Sequence, residues 1–308
     1  MTQRIAVTGS SGLIGGALCR SLRARGDEVV RLVRRPSEHP EEVQWDPSSR
    51  HLDPDVLDGV DAVVNLAGAS IGEKRWTPAF KATLISSRTD GTTALAEAIA
   101  ASGRKIHLVN GSAVGYYGDR GDEVLTEESP GGSGFLAELV RAWEGATEPA
   151  RAAGAPVACV RTGIVLAPEG DAFKPLLLLT RLGLGGPLGN GRHYWPWITL
   201  PDEVRGILHV LDQRLEGPVN LTGPEPVPQR EIVAEMGRRL HRPTVLAAPA
   251  FALRVVLGEM ASDILASQRA LPRRLLGSGF EHEHATLPDA VRWLVADGST
   301  PTVPRRRD

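Results

Sequence analysis

The chain has 308 residues, and 35 Lys and Arg against 37 Asp and Glu leave a net charge of −2. That balance gives no global pull towards nucleic acid or an anionic membrane and leaves room only for a local basic patch. Two cysteines, Cys19 and Cys159, exclude a disulfide scaffold or a Cys-rich zinc module.

Strand-like runs stand at Arg4–Thr8, Glu28–Val33, Val43–Trp45, Ala62–Asn65, Ile106–Asn110 and Val157–Arg161. Amphipathic helical stretches separate several of them, at Leu13–Arg25, Pro78–Ala101 and Phe135–Ala152. Nearly continuous apolar strands alternating with helices predict an α/β fold, a Rossmann-type doubly wound parallel sheet covered on both faces. After Val165 the pattern changes. Phe173–Arg181 reads as helix, and the longest apolar run, around Leu176–Leu179, is broken by Thr180 and Arg181, far short of a membrane span. Gly183–Gly191 holds five glycines and a proline and reads as loop. Trp195–Leu200 and Val219–Thr222 read as strands, and Asp202–Gln213, Gln229–Leu240, Pro249–Leu257 and Leu287–Ala296 as helices. The expected organisation is a larger parallel-sheet domain over 1–166, a smaller α/β lobe over 167–297 interleaved with it, and a disordered tail over 298–308. Met1 to Arg4 leads into the first strand without a signal-peptide core, so a cytoplasmic location is expected.

Thr8-Gly9-Ser10-Ser11-Gly12-Leu13-Ile14-Gly15 follows the first strand and opens the first helix. Gly9 permits a tight turn, Gly12 lets backbone approach a pyrophosphate, and Gly15 lets the helix pack closely. The helix start then offers free N–H groups to phosphate. Gly9, Ser11, Gly12, Leu13, Ile14 and Gly15 are therefore cofactor-binding candidates. The Gly-x-x-Gly-x-x-Gly spacing resembles the short-chain dehydrogenase/reductase superfamily, above all its extended branch. Asn65-Leu66-Ala67-Gly68 resembles that superfamily's Asn-x-Ala-Gly element, which implies that Leu66, Ala67 and Gly68 run under the adenine ribose. Gly163-Ile164-Val165 resembles its Gly-x-Val turn, which implies that Val165 lies beside the nicotinamide carboxamide.

An NAD-selective site usually places an acid at the end of the second strand for the ribose 2′-hydroxyl. Here Val33-Arg34-Arg35 stands there. Without an acid at Val33, and with two guanidinium groups suited to a 2′-phosphate, NADP(H) is the expected cofactor. Arg34 is expected to carry the selectivity; Arg35 either shares the phosphate or points to solvent.

The superfamily's Tyr-x-x-x-Lys pair is absent, and its places fall near Leu136 and Val140. Gly111-Ser112-Ala113-Val114-Gly115-Tyr116-Tyr117-Gly118 resembles the Ser-rich Tyr-Gly element with one extra residue, which makes Ser112 the candidate for the retained serine. Tyr116 and Tyr117 are fallback proton donors or core aromatics. Arg88 replaces the Asn of an Asn-x-x-Gly-Thr helix start, and is either a cation for cofactor phosphate or oxyanion or a solvent-facing helix residue. These departures resemble one atypical subgroup, the nucleoside-sugar epimerase-like family with a C-terminal region of unknown function. Glu73-Lys74-Arg75-Trp76, Ala142-Trp143-Glu144, Arg161-Thr162-Gly163 and Gln268-Arg269-Ala270-Leu271-Pro272 also carry the resemblance. Thr199 departs from it, standing where a His is expected in Trp-Ile-His.

Glu281-His282-Glu283-His284 lacks a third ligand and reads as exposed strand or loop, so no metal is expected. Asp46 either reaches the adenine amine or starts a turn, and Arg192 either meets a diphosphate or lies at the surface. The implied function is an NADP(H)-dependent oxidoreductase or epimerase acting on a nucleotide-sugar-like or small carbonyl substrate. The alternative is an NADPH-holding regulatory protein without turnover. A small-molecule substrate is the expected partner, with neither nucleic acid nor membrane.

Overall fold

The computed structural model describes residues 2–170 and 173–296. Five strands come first: β1 (Arg4–Thr8), β2 (Glu28–Val33), β3 (Glu42–Gln44), β4 (Ala62–Asn65) and β5 (His107–Ala113). With Val157–Thr162 and Gly217–Leu221 they form one parallel sheet in the order Gly217–Leu221, Val157–Thr162, β5, β4, β1, β2, β3. From β1 the chain winds outward through β2 and β3, then returns to the other side of β1 through β4. That reversal opens a crevice beyond the C-terminal ends of β1 and β4, where open α/β sheets take their ligands.

Both sheet faces are covered. Helix α1 (Leu13–Ala24) and the helix Leu200–Asp212 bury Ile5, Val7, Val64, Val109 and Val160 on one side. Helix α2 (Pro78–Ala101) and Glu148–Ala152 bury Ala6, Val63, Leu108, Val157 and Cys159 on the other. Thr77 starts α2 by accepting the Phe80 N–H, with Pro78 at the first helical position. Helix α3 (Phe135–Gly145) stops seven residues before the end of the expected Phe135–Ala152 stretch. Pro149 has no N–H to continue the ladder, and Thr147 Oγ1 donates to the Glu144 carbonyl instead. Strand β5 runs on to Ala113 because Ser112 and Ala113 keep pairing, opposite Arg161 and Thr162.

The C-terminal lobe is more helical than the expected α/β lobe. Its core gathers Phe173, Trp195, Trp197, Ile232, Met236 and Leu294, from Lys174–Arg181, Gln229–Leu240 and Leu287–Val295 among others. Its strand pairs are two or three residues long. Gly217–Leu221 goes back into the main sheet. The tail from residue 298 lies outside the described residues.

Candidate functional site

Gly9 turns the chain after β1 at φ +63°, and a Cβ there would stand 2.6 Å from the Leu66 carbonyl oxygen. Gly15 is more confined, since its Cβ would stand 2.2 Å from the Gly9 carbonyl oxygen. Gly12 differs. Its tightest contact would be 3.3 Å, to the same oxygen, so a methyl there asks that oxygen to give by only a few tenths of an ångström. Ser11, Gly12 and Leu13 are exposed, and Gly12 begins α1 with no side-chain cap and no acid in the first turn. The helix start thus presents bare backbone N–H groups and a positive dipole end to the crevice, as an anionic group requires.

Across the crevice, Thr8 sets the path of the chain after β4. Its Oγ1 accepts the N–H groups of Leu66 and Ala67 at 3.1 and 3.2 Å and donates to Asn65 Oδ1 at 2.6 Å. Asn65 points inward, donating to Thr92 Oγ1 and Asn110 Oδ1. Gly68 lies directly over Arg88, whose Cζ would be 3.0 Å from a Cβ at that position. Arg88 is not solvent-facing: it is 8% exposed, donates to the carbonyls of Leu84 and Ala69, and lies 5.1 Å from the Trp143 ring. Its Nε has no hydrogen-bond partner, no carboxylate pairs with it among the described residues, and burial lowers its pKa to about 10. A buried guanidinium without a counter-ion is costly, which fits an anion arriving with a ligand.

At the end of β2 the two arginines separate. Arg35 is held by Glu42, with Nη1 and Nη2 donating at 2.9 and 2.7 Å, and its side chain stays 42% exposed. Arg31 reaches the same carboxylate and also donates to Ser10 Oγ in the glycine loop. Arg34 is exposed, and among the described residues its side chain has no hydrogen bond or ion pair. Val33 is half-buried at the strand end. Val165 is half-buried too, paired in register with Ile198.

Ser112 is buried on β5 and donates its one proton to Glu144 Oε1 at 2.6 Å. Arg161 grips that carboxylate through Nε at 2.8 Å and Nη2 at 2.9 Å, which raises its own pKa. Arg161 Nη1 also donates to the Tyr117 hydroxyl, which donates to Asn220 Oδ1. Tyr117 is fully buried, and burial pushes its phenol up, so its place is in the core. Tyr116 is half-buried, with Arg161 stacked 3.5 Å from its ring centre, and its hydroxyl makes no hydrogen bond among the described residues. Leu136 and Val140 join Trp76, Ala113, Tyr116 and Met260 in an apolar cluster.

Residues 5–222 match the NAD dependent epimerase/dehydratase family, and residues 248–294 match a domain of unknown function, DUF1731. The chain belongs to the NAD dependent epimerase/dehydratase family. An epimerase family protein of Mycobacterium leprae is 46% identical over 293 residues, covering 94% of this chain and 95% of the relative. Human epimerase family protein SDR39U1, solved with NADPH, is 31% identical with a TM-score of 0.86, covering 97% of this chain and 100% of that one. A nucleoside-diphosphate sugar epimerase from Corynebacterium glutamicum is 35% identical with a TM-score of 0.77, covering 96% of this chain and 58% of that one.

In this family member several residues that the sequence left open take definite places. Asp46 Oδ1 accepts from Ser48 N and Oγ, so it starts a turn. Arg192 is exposed. His282 and His284 are half-buried rather than exposed. His282 Nε2 meets the Thr222 carbonyl, and His284 Nδ1 stands 3.2 Å from Thr199 Oγ1. A histidine from a distant loop thus lies against the threonine that replaces the expected His. Among the described residues no group of three or more His, Cys, Asp or Glu is placed to hold a metal ion.

Two groups escaped the sequence reading. Glu144 lies eight residues after Leu136, on the helix face where the acid–base pair would sit, and that spacing was the available signal. Glu203 is fully buried, with one carboxylate oxygen accepting from Thr162 Oγ1 at 2.7 Å and the other unpartnered. Burial pushes its carboxyl up to about 8. Nothing in the spacing of Thr162 and Glu203 announces their meeting.

Proposed function

We propose that the chain binds NADP(H) in the crevice between β1 and β4 and acts as an atypical oxidoreductase or epimerase on a nucleotide-sugar-like or other small carbonyl substrate. The observation that carries the reading is the pairing of a bare helix start at Gly12 with the unpaired Arg34 at the end of β2, where no acid stands. Arg34 takes the 2′-phosphate, the first turn of α1 takes the pyrophosphate, and Leu66–Gly68 lies along the ribose, with Arg88 beneath as the counter-charge. The human relative solved with NADPH supports the phosphorylated form. Bound there, a nicotinamide supplies hydride exchange with a carbonyl or alcohol.

The protein's own task is to orient the reacting oxygen. Ser112 Oγ, whose own proton is held by the Glu144 carboxylate that Arg161 pins, accepts the hydrogen bond of a substrate hydroxyl and fixes that oxygen beside the cofactor. A second reading, an NADPH-holding regulator without turnover, is favoured by one observation: Leu136 and Val140 make the usual acid–base position apolar. Following NADPH absorbance across a fractionated metabolite extract separates the two. Oxidation by the unmodified protein that collapses in both Ser112→Ala and Glu144→Gln supports the enzyme. Silence across the extract supports the regulator.

A further inference from the structure

Among the described residues, twelve large hydrophobic side chains are exposed, and nine of them fall in two stretches. Leu178, Leu179, Leu182 and Leu184 belong to one; Val245, Leu246, Phe251, Val255 and Val256 belong to the other. The stretches adjoin. The Leu246 N–H donates to the Gly185 carbonyl, the Ala248 N–H to Pro187, and the Gly189 N–H to Ala248. Gly186 lets them meet, since a Cβ there would stand 2.1 Å from the Leu246 carbonyl oxygen. The result is one apolar face, larger than scattered surface hydrophobics make.

Its charge is one-sided. Lys174–Arg192 and His241–Gly258 contain no Asp or Glu, but hold Lys174, Arg192, Arg242 and Arg254, besides Arg181, which already has a partner. Helical spacing sets cations beside the apolar side chains: Lys174, Leu178 and Leu182 share one face, and Phe251, Arg254 and Val255 another. A second copy docking this face on its own would bring like charges together. An occupant must instead be apolar and anionic. A bilayer interface with acidic headgroups meets both demands, accepting Phe251, Val255 and Leu182 at the acyl boundary and the cations at the headgroups.

We propose that this face docks the protein on an anionic lipid surface. The net charge of −2 for the whole chain averages the feature away, which is why composition argued against a membrane partner. No helix among the described residues is long and apolar enough to cross a membrane, so the protein lies on the surface rather than spanning it. The face is tied to the stretch between β4 and α2. Arg75 Nη2 donates to the Val255 carbonyl, and Lys81 pairs with Glu259 at 2.7 Å, tying this segment to the start of α2.

Flotation of the full chain with phosphatidylglycerol/phosphatidylcholine vesicles tests the proposal, with pure phosphatidylcholine vesicles alongside. About tenfold or greater recovery on the anionic vesicles is expected, falling as salt rises from about 0.1 M to about 0.5 M. Phe251→Asp with Val255→Asp abolishes recovery, while Arg242→Glu with Arg254→Glu removes the anionic preference. Unchanged NADPH affinity in both double variants shows that they fold. No recovery on anionic vesicles overturns the proposal, as does recovery that survives the aspartates. A dimer in solution that the aspartates dissolve, without vesicle recovery, overturns it in favour of a second copy.

Discussion

Arg161 is 3% exposed, and among the described residues one carboxylate, Glu144, answers its charge. Removing that carboxylate strands a buried guanidinium, whereas removing the Ser112 hydroxyl leaves the ion pair in place. Glu144→Gln is therefore expected to cost about 3–5 kcal/mol of stability, and Ser112→Ala about 1.5–3 kcal/mol. Equilibrium unfolding in urea at neutral pH measures both, and a Glu144→Gln protein as stable as the parent would contradict the pairing. The two residues were visible in the sequence only as parts of Ala142-Trp143-Glu144 and Arg161-Thr162-Gly163. Their meeting depends on α3 packing beside β5, which pairs with the strand Val157–Thr162, and residue types alone do not reveal that. Arg35 teaches the same lesson on a shorter scale. The basic pair after β2 was legible, but which arginine stays free depends on β3 bringing Glu42 alongside.

The glycine loop is the element that sequence reads best, because its demands are local: a left-handed turn, a close helix and bare backbone. Two substitutions separate those demands. Gly15→Ala drives a methyl into the Gly9 carbonyl, so a large loss of thermal stability and of cofactor binding is expected. Gly12→Ala meets only a 3.3 Å contact, so the fold should persist while NADPH affinity falls. Equal damage to melting temperature in both would show that Gly12 serves the fold rather than the ligand.

The helix Leu200–Asp212 carries a different signature. Burial raises the Glu203 carboxyl to about 8, so the folded protein keeps a proton that the unfolded chain releases above its ordinary value of 4.5. Its contribution is fully present below that ordinary value and is lost as pH rises through about 8. Glu203→Gln should melt like the parent at about pH 5 and higher than the parent at about pH 9. An unchanged pH dependence would show Glu203 to be ionised in place. Element boundaries were less legible where pairing decides them. Strand β5 outruns the Ile106–Asn110 apolar run because its partner strand continues, and α3 ends early because Pro149 interrupts the hydrogen-bond ladder.

At the scale of the molecule, alternation of strand and helix was enough to predict the parallel sheet, since helices cover both faces and leave the strands apolar. The C-terminal lobe was harder. Its strands are too short to show a period, and its core closes around Trp195, Trp197 and Met236 from segments far apart in sequence. What the whole fold achieves is the crevice between β1 and β4, with the bare start of α1 on one side, Leu66–Gly68 over Arg88 on the other, and Arg34 beyond the end of β2. This crevice is expected to select NADP(H) through Arg34. Calorimetric titration of the unmodified protein and of Arg34→Ala with NADPH and with NADH tests it most directly. A lost charge-assisted contact to phosphate predicts that the parent binds NADPH about tenfold or more tighter than NADH, and that Arg34→Ala erases most of the difference by weakening NADPH alone. Equal affinities for the two cofactors in the parent, or an NADPH affinity that Arg34→Ala leaves unchanged, would contradict it.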